Sequence, residues 1–275
     1  MNHPNIENWW AVQAMIASYN HVYQVVYGTG YESRGIIGVS IYRDAPIAPY
    51  QLEFLALTSN PKEIVEAIHA YPIDGQKYVL DIFHDKPSSK TLKTDYLLEG
   101  YEFVRTGVIL GLDLPIQIRS NLSGIHKAVK IHEAEEINLT LSVENEHMPT
   151  KCLRGKHIHN FYAKADGQIA GWAQLVTIYP GVGYLNQVYV MSAFRQRGIG
   201  RALVERAHQH CNRQNLEHMV VIPSEIALHL YRRIGYRPLA YFTAFHPRET
   251  GAETSPEKAN GTIPETIAES TEGME

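Results

Sequence analysis

The chain has 275 residues, 44% hydrophobic and 20% charged, with a net charge of −4; this is enough material for a sizeable core and about two domains. The charge is uneven: seven Glu against one Lys from Glu249 onward give −6, leaving +2 by difference, with no basic block to mark a nucleic-acid face. Two cysteines, Cys152 and Cys211, exclude a disulfide framework, no apolar run is long enough for a bilayer, and no signal peptide is visible, so the expected location is the cytoplasm.

In chain order, Trp9, Trp10, Val12, Ile16, Tyr19, Val22 and Tyr23 fall at helical spacing, which predicts an amphipathic helix between Ile6 and Val26 with an aromatic face. Strands are expected near Gly35–Tyr42 and Leu52–Leu57. A helix should begin at Asn60-Pro61, with Glu63 reaching back to close a capping box. Tyr78–Phe83 reads as a buried strand, Leu92–Leu98 as a helix and Val104–Leu112 as a strand. The order strand, helix, Gly-Tyr, strand recurs later, through Gly100-Tyr101 and then Gly235-Tyr236. That parallel suggests two related halves; an unrelated α/β domain ahead of the second half is the competing expectation.

Leu114–Ser120 alternates, and is expected to open a new domain as its first strand. Helix should follow somewhere within Gly124–Asn145. Asp166-Gly167 is the turn of a two-strand hairpin, and Pro180–Gly183 leads into the strand Tyr184–Val190. Beyond that strand comes Phe194-Arg195-Gln196-Arg197-Gly198-Ile199-Gly200-Arg201, and from Ile199 the apolar residues Leu203, Val204, Ala207 and Cys211 keep a helical period. Two glycines between strand and helix let another molecule approach the main chain. The helix start also presents unpaired N–H groups and the positive end of its dipole, an anion cradle suited to a pyrophosphate. Leu203 breaks the dinucleotide fingerprint, and no Gly-Lys-Ser/Thr marks a Walker loop. After His246 the chain turns Glu-, Thr-, Pro- and Gly-rich, the composition of a disordered acidic tail over 247–275.

The string Val190–Leu203, with Arg-x-x-Gly-x-Gly at its centre, resembles the acyl-CoA loop of the GNAT N-acetyltransferases. The hairpin before it and Ala227–Tyr236 after it follow the same family order, so the resemblance covers about Ile116 to Phe245. It implies an α/β fold of GNAT type, a mixed and mostly antiparallel central sheet flanked by helices, at 114–246. A smaller α/β domain, 1–113, precedes it as a degenerate GNAT-like half or as an unrelated unit. The implied activity is acetyl transfer from acetyl-CoA to a primary amine, either a small molecule or a peptide, with a homodimer allowed.

Residue by residue, the resemblance places the pantetheine arm on the backbone of Val188, Tyr189 and Val190. It places the pyrophosphate on N–H groups of Gln196, Arg197, Gly198, Ile199, Gly200 and Arg201, with Arg195, Arg197 and Arg201 adding charge. Tyr231 would protonate the leaving thiolate. Ser224 stands where many members have an Asn on the cofactor arm, and Ser192 where a Pro is usual. The general base is not legible: the strand Tyr184–Val190 carries no carboxylate, and His157 and His159 are the nearest candidates, with ordinary surface histidines as the alternative. His208, His210 and Cys211 lie too close along one helix to face a single metal. An inactive acyl-CoA-binding sensor, or an interaction protein, is the alternative function.

Overall fold

The computed structural model describes residues 6–28, 30–42, 50–57, 60–87 and 90–248; the expected acidic tail lies, from Glu249 on, outside them. No helix among the described residues is long and apolar enough to cross a membrane.

The first helix, α1 (Trp9–Tyr27), follows the aromatic periodicity and ends at Gly28 in the left-handed conformation, φ 68°. A hairpin of β1 (Gly30–Arg34) and β2 (Ile37–Ile41) comes next, then β3 (Leu52–Ala56). Helix α2 (Pro61–His69) starts where Asn60-Pro61 predicts. Its cap differs from expectation, because the Glu63 carboxylate accepts from the Asn60 side-chain amide (2.9 Å) rather than from its main chain. Strand β4 (Tyr78–His84), helix α3 (Lys90–Leu98) and strand β5 (Tyr101–Asp113) complete the first segment.

Leu114–Ser120 is not a strand, contrary to the expectation from its alternation. Leu114 N–H bonds the Glu217 carbonyl (2.8 Å), and side chains of a later helix take three further main-chain groups. The Glu205 carboxylate accepts from Arg119 N–H (2.8 Å) and Ser120 N–H (2.6 Å), and the Asn212 amide donates to the Ile116 carbonyl. With those groups satisfied off-sheet, no ladder forms. The second segment instead begins its sheet at β6 (Ile125–Ala128), followed by α4 (Ile131–Leu141) and short 3-10 turns. Strands β7 (Ile158–Ala165) and β8 (Gln168–Val176) form the Asp166-Gly167 hairpin, with both turn residues at positive φ. Strand β9 (Val182–Val190), helix α5 (Ile199–Arg213), strand β10 (His218–Val221), helix α6 (Glu225–Ile234) and strand β11 (Arg237–Pro247) close the chain.

All eleven strands join one sheet in the order β1-β2-β3-β4-β11-β5-β10-β9-β8-β7-β6. Strands β3 and β4 are parallel, as are β9 and β10, and the other pairs are antiparallel. The centre is the long β5–β11 pair. Each member follows a helix and a Gly-Tyr step, yet each lies against the strand that precedes the other's helix: β11 on β4, β5 on β10. The expected mixed, mostly antiparallel α/β fold is therefore what the chain adopts. One face of the sheet packs under α1 through Val220, Phe242, Phe83 and Leu55. The opposite face packs under α5 and α6 through Leu203, Val204, Ala207 and Tyr231.

Candidate active site

The site begins at a separation between two parallel strands. Strand β9 runs beside β10 from Val182 to Leu185, whose partner is Val221, and there the pairing stops. Strand β10 stops because Ile222 is followed by Pro223, which has no N–H to donate, and Ser224 already caps α6 with its hydroxyl accepting from Ala227 N–H (3.3 Å). Strand β9 continues five residues further, held by β8 alone. A bulge helps to turn it away: Gln187 pairs with Gln174 and Leu185 with Leu175, leaving Asn186 as the extra residue. The edge of Val188, Tyr189 and Val190 that faces away from β8 thus has no strand partner among the described residues, an opening into which an extended amide chain fits as an added strand.

The loop beyond that edge is built as the glycine pattern suggests. Gln196 and Gly198 both have positive φ, 61° and 79°. The first helical hydrogen bond of α5 runs from Ala202 N–H to the Gly198 carbonyl (3.0 Å), which leaves the N–H groups of Ile199, Gly200 and Arg201 at the open end. A Cβ at Gly198 would meet nothing within 4 Å, and one at Gly200 would make ordinary contacts with Val190 and Leu230. The space over Gly198 is free for a ligand, whereas Gly200 lies against Val190 and Leu230. The arginines are less free than their number suggests. Arg197 bonds Asp166 (2.9 Å), Arg201 bonds Glu205 (2.8 Å), and Arg195 donates to the Val190 carbonyl (3.1 Å). Of the three, only Arg195 makes no salt bridge among the described residues, although its charge acts on the nearby Glu144 carboxylate.

Tyr231 on α6 is 3% exposed and sits edge-on to Tyr236. Burial, and Tyr184 nearby, raise its pKa above the usual phenol value. None of the hydrogen bonds among the described residues involves its hydroxyl, so the proton is not committed to a structural partner.

Four acidic groups invisible in the local sequence approach the bulged strand from the α1 face. Glu146, in the loop after α4, accepts from the Trp172 indole N–H (3.1 Å) and lies 3.4 Å from the Gln187 amide. Burial holds its pKa above the ordinary glutamate value, against the pull of those donors. Glu144 accepts from the Tyr189 hydroxyl and from Ser192. Glu53 on β3 and Asp81 on β4 line a cavity of about 440 Å³ that also reaches Tyr184, Asn186 and Gln187. Only three-dimensional pairing brings these groups to β9, and a Glu in a loop carries no signal of its own.

The histidines named as base candidates lie away from the bulge of β9. His159 lies tilted against His210 with ring centres 4.2 Å apart, bonds Thr177 (3.2 Å), and has its pKa lowered to about 3, first by burial and then by His210. A group that stays neutral down to that pH is a poor proton acceptor near neutrality. His157 lies against His21, one residue ahead of β7 and remote from the opening. His208 bonds the Tyr236 hydroxyl at 2.9 Å.

Solved structures, acetyltransferases among them, share this fold. A GCN5-related N-acetyltransferase from Kribbella flavida is similar at TM-score 0.64 and 16% identity, covering 85% of this chain and 95% of its own. One from Sphaerobacter thermophilus gives 0.52 and 15%, over 77% and 76%. A functionally unknown conserved protein from Staphylococcus epidermidis gives 0.56 and 12%, over 82% and 97%. Residues 128–236 match the model of the Acetyltransferase (GNAT) family. No curated protein matches the sequence.

Proposed function

We propose that the protein is an N-acetyltransferase that moves the acetyl group of acetyl-CoA to a primary amine by direct attack. The observation that carries this is the unpaired edge of β9 next to the open N-terminus of α5: one fits a pantetheine amide chain, the other a pyrophosphate. Helix-end contacts of this kind contribute about 0.3–1 kcal/mol each when exposed, so several N–H groups share the load. In this reading Val188, Tyr189 and Val190 pair with the arm, and Gln196 to Arg201 hold the diphosphate, with Arg195 the freest cation.

Glu146 takes a proton from the incoming ammonium, directly or through one water. The amine nitrogen attacks the thioester carbonyl and the oxyanion is met by a main-chain N–H of β9; as the carbon–sulfur bond breaks, Tyr231 gives its proton to the departing thiolate, and the second proton leaving the nitrogen passes through water to restore Tyr231, while Glu146 releases the first to solvent. The first segment acts as a GNAT-like half without a cradle that walls the acceptor cavity, a reading supported by the matching β4-α3-β5 and β10-α6-β11 orders. We place the enzyme in the cytoplasm, where both free cysteines stay reduced.

The test is a thermal-shift titration with acetyl-CoA followed by thiol release with an amine panel. A stabilisation that saturates, and amine-dependent thiol release, are expected. No shift at saturating acetyl-CoA would rule out the assignment.

A further inference from the structure

The 440 Å³ cavity has two unlike ends, and the second is built for a zwitterion. One end is the fork, with Asn186, Gln187 and Ile222. The other lies across β4, β11 and β5, where Asp81, Ala244 and Arg105 occupy one register row. Residues directly opposed on antiparallel strands share a face, so the two side chains rise from Cα atoms about 10 Å apart at strand spacing, with only a methyl group between them. Asp81 is 6% exposed, and its Oδ1 has no hydrogen-bond partner. Beside it is Glu53, which accepts from the Tyr42 hydroxyl. Burial first, and then the Glu53 charge and a side-chain hydrogen bond with it, hold Asp81 well above the usual carboxylate range, while Arg105 opposes the shift. Arg105 is exposed and lies 5.0 Å over the Phe242 ring. That ring in turn leans across Gly107, where a Cβ would sit 2.2 Å from it. Between the two ends the floor is apolar: Phe83, Phe242 and Leu55.

We propose that this end binds the α-amino-carboxylate head of an amino acid, ammonium on Asp81 and Glu53, carboxylate on Arg105, and that the acceptor is a dibasic amino acid whose ω-amine reaches the fork. The inference rests on the transferase reading above. An unpartnered buried carboxyl oxygen accepts an ammonium proton, and the guanidinium offers a forked pair of donors to a carboxylate. A four-carbon side chain laid over Phe83 and Phe242 spans a cavity of this size. A polyamine would set its second cation beside Arg105, and a peptide N-terminus would lack the free carboxylate.

The experiment compares lysine with three analogues, each missing one part: cadaverine without the carboxylate, 6-aminohexanoate without the α-ammonium, and Nα-acetyl-lysine without its charge. Thiol release from acetyl-CoA by the full chain should favour lysine by roughly tenfold or more in kcat/KM over each, because a site built for a polar group discriminates against its absence. Arg105→Met should shrink the lysine-to-cadaverine ratio to about twofold, and Asp81→Asn and Glu53→Gln should shrink the lysine-to-6-aminohexanoate ratio similarly, all by raising KM more than lowering kcat. Arg105 is exposed, so its variant tests the idea even if a change at buried Asp81 unfolds the chain. Equal use of all four amines, acetylation of lysine at the α-nitrogen, or no turnover of lysine while acetyl-CoA still raises Tm would overturn the amino-acid assignment alone. Absence of any acetyl-CoA shift in the unaltered protein would instead remove the transferase reading.

Discussion

The Trp172 indole N–H points at the Glu146 carboxylate, 3.1 Å away, and fixes that side chain beside the bulge of β9. A carboxylate with a raised pKa, held next to the strand that would carry the thioester, is suited to take a proton near neutral pH.

Glu146→Gln is therefore expected to lower kcat by roughly a hundredfold or more, the range of a lost general base. In the unaltered enzyme kcat should rise with pH as Glu146 loses its proton, at a pH above that of an ordinary glutamate, and the variant should lack this acidic limb. A pH–rate profile with the same limb in both proteins would exclude Glu146.

Gly200→Glu should abolish acetyl-CoA binding, because it puts a carboxylate at the open end of α5 where the diphosphate belongs. Gly198→Ala separates strain from charge: at φ 79° it costs about 1 kcal/mol of stability while leaving the dipole in place. Calorimetric titration should find no acetyl-CoA binding for the first and measurable binding for the second. Unchanged affinity in Gly200→Glu would sink the cradle.

Tyr231→Phe should reduce turnover with little change in acetyl-CoA affinity or Tm, since the hydroxyl has no hydrogen bond to lose. Parallel loss of turnover and Tm would make Tyr231 a packing residue.

The protein should weaken on acidification. His208 bonds Tyr236 and has its pKa lowered to about 4, mainly by burial; His210 behaves alike, at about 4, and His159 at about 3. Each binds a proton more readily when unfolded, near pH 6.5. Stability is thus retained above that pH and falls as pH drops from about 6.5 toward 4. For His208, the most enclosed of the three, the loss is roughly 3 kcal/mol over that window. Replacing it by Gln should flatten the slope of Tm against pH; an identical slope would contradict the linkage.

The local elements and the cradle could be read from the chain because their causes are local. Asn60-Pro61 starts a helix, Asp166-Gly167 closes a hairpin, and the spacing of Gly198 and Gly200 marks an open helix end. Leu114–Ser120 misled because alternation records side-chain pattern, whereas Glu205 and Asn212, far along the chain, decide where its backbone bonds go. Glu146, Asp81 and Glu53 escaped for a related reason: each is an ordinary acid in its own segment, and only the three-dimensional fold brings Glu146 beside the fork and Asp81 and Glu53 into the cavity that opens from it. The row Asp81–Ala244–Arg105 depends on β11 entering between β4 and β5, which no local pattern records.

That entry has a practical consequence for anyone who would dissect the molecule. Because β5 is clasped between β10 and β11, a gene product starting at residue 114 would bare one edge of β10 and both edges of β11, each ready to recruit a foreign strand. Neither portion should be expressed alone; the polypeptide is interlocked like two clasped hands, and its parts are best studied by point substitution.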